Sequence, residues 1–223
     1  YFSTTVGSSA SGFFWLTPYF RLEGLAYRFV PVKSSTPEGS YDFGDVNAEA
    51  CYNLMVNPKN EAGKFLYGNM EDPNVYLDET NRRLCFNLRT TFGRAASTLA
   101  IQGQNKKAIE MLDFGMQKMP VERFGYDYFL LSMIEGYFRA GAKEKANKLV
   151  DGFSANLDEN LNFYAQFRGS KRTFVTQDIE GDLQYYQMLV RLSSAYNGGN
   201  FDPAKMQSDP LFARYAEQAS KFQ

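Results

Sequence analysis

The sequence from residue 89 to residue 122, RTTFGRAASTLAIQGQNKKAIEMLDFGMQKMPVE, predicts two short helices that pack against each other. Apolar side chains recur in it every three or four residues, and Gly103 separates the two periodic runs. Small residues occur between the bulky ones on the inner face, which lets two helices cross closely. The inner-face residues are Phe92, Ala96, Leu99, Ala108, Leu112, Gly115 and Pro120.

The order of these seven residues matches the pattern of the 34-residue tetratricopeptide repeat. That pattern has bulky residues at positions 4, 11 and 24, small residues at 8, 20 and 27, and proline at 32. A second copy over residues 127–160 fits at the bulky positions and at its central Ala146, but departs from the pattern at the other small positions and at the proline position. An ordinary helical bundle with coincidental spacing remains the alternative, because short patterns also match by chance.

We therefore predict a mainly α fold of tetratricopeptide-like helical hairpin repeats with a small N-terminal α/β or irregular cover segment. The cover segment is residues 1–76, where aromatic runs at 13–16 and 24–30 are interrupted by prolines and favour short strands. The helical-repeat domain is residues 77–223, with repeats at about 89–122 and 127–160 and capping helices within 177–221. The predicted helices cover about 48–55, 78–103, 105–118, 126–140, 143–155, 177–196 and 210–221.

The composition of the 223 residues excludes several classes of function. Lys and Arg number 24 against 25 Asp and Glu, which argues against a nucleic-acid surface, because such a surface concentrates positive charge. The sequence has no histidine, which excludes Ser-His and Cys-His catalytic pairs and every histidine-ligated metal site. No stretch reaches the roughly 18 continuous apolar residues of a membrane-spanning helix, so we expect the chain as given to be soluble.

Candidate metal and redox residues are few. Cys51 and Cys85 form either one disulfide or two buried free thiols, and they are too few for a structural zinc site, which takes about four ligands. The acidic pairs Glu71-Asp72 and Asp78-Glu79 offer oxygen ligands for calcium, but they lack the alternating spacing of a calcium loop. Helix capping and solvation explain them better, so we predict neither a metal nor a cofactor.

The main candidate binding residues lie on the second repeat. Tyr128, Leu131, Glu135, Phe138 and Arg139 fall at repeat positions that line the concave face in such proteins. A groove with these side chains would accept a peptide segment, or a sugar whose ring stacks on the aromatic groups. The alternative is that a capping helix or the N-terminal segment of the chain fills this groove.

Basic residues supply two further candidates. Arg82 and Arg83 open the first repeat helix, where they are able to bind a phosphate or carboxylate, or to pair with Glu79. A second basic cluster has three members, fewer than the roughly four to eight that mark an anionic-membrane site. Its members are Arg168, Lys171 and Arg172.

Several stretches of the chain also resemble a known family. They are YFRLEGLAYR (19–28), YGNM (67–70), YLDE (76–79), Arg82-Arg83, Asn87-Leu88-Arg89 and YDYF (126–129). Together they resemble the C-terminal soluble region of large multi-spanning membrane proteins of Bacteroidota, whose membrane domain is similar to GT-C glycosyltransferases. Most members are described only as containing a domain of unknown function. The resemblance implies a location at the periplasmic face of the inner membrane, as part of a membrane protein.

These observations together predict a non-catalytic protein-interaction or acceptor-positioning domain attached to a membrane-embedded, glycosyltransferase-like protein. The resemblance transfers no catalytic residue, because the catalytic acid of GT-C enzymes lies among membrane helices that this chain lacks. The expected partners are the membrane domain of its own full-length chain and a polypeptide or glycan acceptor, not nucleic acid. Two alternatives remain: a structural domain that stabilises the membrane part, which an exposed apolar patch within residues 1–30 would favour, and a glycan-acting enzyme with paired carboxylates.

Overall fold

The structure is a computed structural model that describes residues 1–4, 15–34, 44–56, 67–197, 207 and 209–222. It is mainly helical with a small N-terminal sheet, which confirms the predicted fold class. The chain divides into two compact units, Tyr1–Ala142 and Lys143–Gln223. The domain boundary that the sequence suggests, after residue 76, is a different division and stays a prediction. No helix within the described ranges is both long and apolar enough to cross a bilayer.

A four-stranded sheet lies near the start of the first unit. Its strands, in the spatial order β1-β3-β2-β4, are β1 (Phe2–Ser3), β2 (Phe20–Glu23), β3 (Ala26–Phe29) and β4 (Asp45–Val46). β2 and β3 form an antiparallel hairpin, and β4 runs parallel to β2. Gly24 makes the hairpin turn with a φ of +63°, which L side chains rarely adopt. The strand expected within 24–30 is confirmed. Residues 15 and 16 instead begin a short 3-10 turn, and residues 13 and 14 lie outside the described residues.

Helix α1 (Ala48–Met55) follows the sheet over the predicted range. The Asn47 side chain caps its first turn by accepting a hydrogen bond from the Ala50 amide at 3.3 Å. Leu54 is exposed and Tyr52 is half-buried, whereas Ala48, Cys51 and Met55 are buried. The helix packs against β2 and against the long helices that follow it, so the N-terminal segment shares the core of the first unit.

Both cysteines are free thiols, which answers the question that the sequence left open. The Cys51 Sγ accepts a hydrogen bond from the Gly24 amide at 3.3 Å and donates to the Leu22 carbonyl at 3.5 Å. Burial raises the pKa of the Cys51 thiol to about 11, because the thiolate would lose its hydration. Cys85 is half-buried, and burial raises the pKa of its thiol as well.

The remaining helices of the first unit agree with the predicted hairpin and correct one boundary. They are α2 (Glu79–Ile101), α3 (Asn105–Lys118), α4 (Val121–Phe124) and α5 (Leu130–Arg139). Asp78 caps α2 as expected, since its Oδ1 accepts a hydrogen bond from the Asn81 amide at 2.7 Å. The prediction that the third helix begins near residue 126 was wrong, because α5 begins at Leu130 and the preceding residues form a loop.

Helix α2 packs against both α3 and α5, and small residues allow the close approach. A Cβ added to Gly93 would lie 2.4 Å from the backbone carbon of Ser132 on α5. Gly136 on α5 lies against the Leu112 side chain of α3. Six of the seven inner-face residues of the first predicted repeat are buried. The seventh, Pro120, is the N-cap residue of α4 and is half-buried.

Two glycine turns in the first unit have the same geometry. Gly103 and Gly141 have φ of +77° and +81°, and each ends a helix. At each turn the residue after the glycine donates a backbone hydrogen bond of 2.9 Å to the carbonyl five positions earlier, as in a Schellman motif. Both glycines fall at position 15 of the predicted 34-residue repeats, 89–122 and 127–160. The second predicted repeat extends into the second unit, and its classification as a tetratricopeptide repeat stays a prediction.

The described residues of the second unit form helices joined by turns. Its helices are α6 (Lys143–Tyr164), α7 (Ser170–Phe174), α8 (Thr176–Asn197) and α9 (Pro210–Ser220). The prediction that α6 ends near residue 155 was wrong, because Leu157 and Leu161 continue its buried face. Helices α6, α8 and α9 pack against one another, with Tyr186 of α8 fully buried. Arg214 of α9 forms an ion pair with Asp158 of α6, which joins the first and last helices of the unit.

Candidate functional site

Helix α5 and the loop before it carry the five residues that the sequence assigns to a groove. Tyr128 is 42% exposed, whereas Leu131 and Phe138 are buried. Glu135 and Arg139 form an ion pair at 2.7 Å, and each side chain is about one-third exposed. The structure therefore divides the set into exposed residues and residues that belong to the core.

The exposed members of the set lie on α5 and on the turn before it. Glu135 and Arg139 are one turn apart on the helix, and Tyr128 lies two residues before its first residue, Leu130. Tyr128 also starts the turn that leads into the helix, since its carbonyl accepts a hydrogen bond from the Leu131 amide at 3.2 Å. We call Tyr128, Glu135 and Arg139 the α5 surface.

The loop before α5 is held by a buried ion pair. The Arg89 side chain of α2 is fully buried, and its Nη1 donates to Asp127 Oδ2. Nη1 also donates to the Gly125 carbonyl at 2.8 Å, and Nη2 donates to the Met119 carbonyl at 3.1 Å. A single guanidinium thus binds three points of the connection between α3 and α5. Asp127, which precedes Tyr128, is one of them.

Aromatic rings enclose the same guanidinium. The rings of Phe86 and Phe124 both lie with their centroids 5.8 Å from the Arg89 Cζ, within the range of a cation–π interaction. Burial is the main influence on the pair. It lowers the pKa of Arg89 and raises the pKa of Asp127, and the mutual attraction of the two charges opposes both shifts. Removal of either partner would leave a charge buried without its counterion.

Further bonds fix the residues on either side of Tyr128. Asp127 Oδ1 accepts a hydrogen bond from the Leu130 amide at 3.1 Å, and Ser132 Oγ donates to the Arg89 carbonyl at 3.2 Å. The Phe129 ring stacks on Phe86 of α2 at 6.4 Å. The residues before and after the exposed tyrosine are therefore both anchored to the core.

The sequence patterns do not identify the Arg89–Asp127 pair, although they contain a signal for Arg89. Arg89 lies three residues before Phe92 and seven before Ala96, which places it on the buried face of α2. A charged residue on a buried face needs a counterion, and that requirement alone identifies Arg89 as a candidate for a buried ion pair. Nothing local in the sequence identifies Asp127 as the partner.

Arg82 and Arg83 lie in the exposed first turns of α2. Arg83 forms an ion pair with Glu79 at 2.5 Å, one of the roles that the sequence suggested. Within the part of the chain that the structure describes, no hydrogen bond or ion pair joins either arginine to the α5 surface. The structure therefore does not combine them into one site.

The acidic residues considered for calcium have structural roles. Glu71 forms an ion pair with Lys118, and Asp72 Oδ1 accepts a hydrogen bond from the Asn74 amide at 2.9 Å. Asp78 caps α2, as described above. Over the described residues, no group of three or more cysteine and acidic side chains could hold a metal ion.

Comparison of the chain with protein-family models, with curated proteins and with solved structures found no match.

Proposed function

We propose that this chain is a non-catalytic interaction domain that binds an extended polypeptide through the α5 surface. The observation that carries the proposal is Tyr128, an exposed aromatic side chain on a loop that the buried Arg89–Asp127 pair fixes. Tyrosine is enriched among the residues that dominate binding energy at protein interfaces. A preorganised tyrosine loses little conformational entropy when a partner binds.

The exposed ion pair on α5 adds polar groups for a peptide backbone. Arg139 donates to Glu135 Oε1 through both Nε and Nη2, at 3.0 and 2.7 Å. Glu135 is able to accept hydrogen bonds from peptide amides, and Arg139 is able to donate to peptide carbonyls. Leu131 and Phe138 support this face from the core and are not expected to contact a partner.

The family resemblance supports a specific setting for this activity. In it, the domain lies at the periplasmic face of the inner membrane and positions an acceptor for a glycosyltransferase-like membrane domain of the same protein. The acceptor is a polypeptide or its glycan, and the chain itself performs no catalytic step. This setting is part of the proposal and rests on the resemblance of the stretches around residues 19–28, 67–79 and 126–129.

A binding screen with defined probes tests the proposal. The probes are a set of unstructured peptides, a permanently unfolded, carboxymethylated polypeptide, and a panel of oligosaccharides, each measured by fluorescence anisotropy. Saturable peptide binding that weakens at least about fivefold in Arg139→Ala would support the α5 surface, since interface truncations of this size are typical. Binding that is unchanged in both Arg139→Ala and Tyr128→Ala would exclude this surface.

A second candidate function is favoured by exposed apolar residues of the sheet region. Tyr1, Trp15, Phe29 and Val32 are 79%, 70%, 47% and 61% exposed. The Phe29 ring lies 6.1 Å from Tyr19, which ends the turn that starts at Trp15. Exposed apolar side chains in this region are expected of a structural domain that docks on an apolar surface, such as the membrane part of a parent protein.

The single tryptophan of the chain makes this alternative measurable. Trp15 fluorescence should shift to shorter wavelength when the sheet region docks on an apolar surface, because the indole leaves water. Detergent micelles and the membrane domain of a parent protein are the two probes. A blue shift with the membrane domain but not with micelles would favour the structural role, and no shift with either would exclude it.

A further inference from the structure

The end of α6 and the short helix α7 expose a concentration of aromatic side chains. Phe163 and Phe174 are 55% and 86% exposed, and the Phe167 ring packs edge-on against Phe163 at 5.1 Å. α7 buries none of its side chains, so it lies on the surface of the second unit. Residues 163–174, which we call the aromatic-basic segment, belong to the second unit.

The same segment carries three positive charges and no carboxylate. Arg168, Lys171 and Arg172 lie within it, and no Asp or Glu occurs from residue 160 to residue 177. Arg168 donates to the Ala165 carbonyl at 2.6 Å. Among the described residues, no acidic group forms an ion pair with any of the three cations.

The contacts of Arg172 leave its charge uncompensated as well. Its Nη2 donates to the Phe222 carbonyl at 2.8 Å, and its guanidinium lies 5.4 Å from the centroid of the Phe222 ring. Both partners are electrically neutral. Burial raises the pKa of Tyr164, and the charges of Asp182 and Asp178 add to the shift. Asp182 also accepts a hydrogen bond from Asn160 at 3.1 Å.

We propose that the aromatic-basic segment binds the surface of a membrane that contains anionic lipids. Phe163 and Phe174 would enter the interfacial region, and the three cations would contact lipid phosphates. A lipid surface is favoured over an acidic protein because these phenylalanines project from a helix end and from a one-turn helix. A fluid interface accommodates projecting rings without a preformed pocket, whereas a protein partner needs a matched pocket for each. Three cations alone would give only weak affinity for an anionic membrane. The exposed phenylalanine rings add a hydrophobic contribution to that affinity.

Vesicle flotation of the full chain tests this assignment. The vesicles are phosphatidylcholine alone and phosphatidylcholine with phosphatidylglycerol, at low and at raised salt. We expect flotation with the anionic vesicles only, and a decrease as salt screens the charges. The double variant Phe163→Ser with Phe174→Ser should reduce the bound fraction at least about fivefold, and Lys171→Glu about tenfold.

Matched controls separate the segment from the rest of the surface. Lys148→Glu alters another exposed lysine of the second unit, and Tyr76→Ser alters a tyrosine that is 87% exposed; both should bind as the wild type does. Circular dichroism confirms that each variant is folded. Absence of flotation, equal flotation with neutral vesicles, or equal loss in the control variants would overturn the proposal. Self-association that disappears in the phenylalanine variant, without vesicle binding, would assign the segment to a second copy of the chain instead.

Discussion

Asp127 contacts the fully buried guanidinium of Arg89 with one carboxylate oxygen and accepts the Leu130 amide at 3.1 Å with the other. One side chain therefore both neutralises a charge inside the first unit and marks the start of α5. Tyr128 follows Asp127 directly, so the pair also determines where the exposed tyrosine stands. Stability and the proposed binding surface depend on the same contact.

Removal of Asp127 should destabilise the protein strongly. Asp127→Ala leaves Arg89 buried without a counterion, and we expect the free energy of unfolding to fall by about 3–5 kcal/mol. Urea denaturation followed by circular dichroism measures the change. Glu135→Ala is the control, because it breaks an exposed ion pair and should lower the free energy by no more than about 0.5 kcal/mol. Equal effects of the two substitutions would show that the buried pair is not the anchor we describe.

The contact of α2 with α5 predicts an unusual response to glycine substitution. Gly93→Ala places a Cβ 2.4 Å from the backbone carbon of Ser132, so α2 and α5 must move apart. We expect the free energy of unfolding to fall by about 1–3 kcal/mol. Among the described residues, nothing beyond the neighbouring backbone of its own helix lies within 4 Å of a Cβ added to Gly181 of α8, so Gly181→Ala should stabilise this helix by about 0.5–1 kcal/mol. Thermal denaturation of both variants distinguishes them by the sign of the change in Tm. A rise in Tm for both would contradict the close approach.

The Cys51 thiol should react slowly with thiol reagents in the folded protein. Reaction requires the thiolate, and a pKa of about 11 in place of 9.0 reduces the thiolate fraction near pH 8 about 100-fold. Labelling of the Cys85→Ser variant with an aromatic disulfide reagent, with and without urea, measures this protection. Labelling that is equally fast in both conditions would place Cys51 at the surface.

The same thiol predicts a loss of stability at high pH. The folded protein keeps the Cys51 proton up to about pH 11, whereas the unfolded chain releases it near pH 9.0. The unfolded state therefore binds fewer protons between these values, and the free energy of unfolding falls as the pH rises through them. The Cys51→Ala variant should lack this contribution. Urea unfolding curves at pH 8 and pH 10 measure the free energy of unfolding of the wild type and of Cys51→Ala. An equal decrease in the two proteins would show that the Cys51 thiol does not cause the loss of stability.

Much of the fold could be predicted from local patterns. Asp78, Gly103 and Pro120 are strong start and stop signals, and the structure places helix ends beside each of them. The start of α5 could not be found in this way, because Asp127 interacts with Arg89, 38 positions earlier in the chain. Tertiary contacts of that kind leave no periodic trace in the sequence.

The candidate site shows the same limit. The repeat pattern selected five candidate residues on α5 and the turn before it, but it did not show that Leu131 and Phe138 are buried. Their burial depends on which helices cover α5, and spacing within one helix carries no information about its neighbours. The exposed subset, Tyr128 with Glu135 and Arg139, became apparent only from the structure.

The most direct test of the α5 surface is the dissociation constant of a peptide that binds the wild-type protein, measured by isothermal titration calorimetry for Tyr128→Ala and Tyr76→Ala. Both substitutions remove an exposed tyrosine, 42% and 87% exposed, and both leave the core intact. We predict that Tyr128→Ala weakens binding at least about tenfold, as expected for an interface hot spot, and that Tyr76→Ala changes it less than about twofold. Equal affinity of the two variants for the peptide would contradict a docking role for the α5 surface.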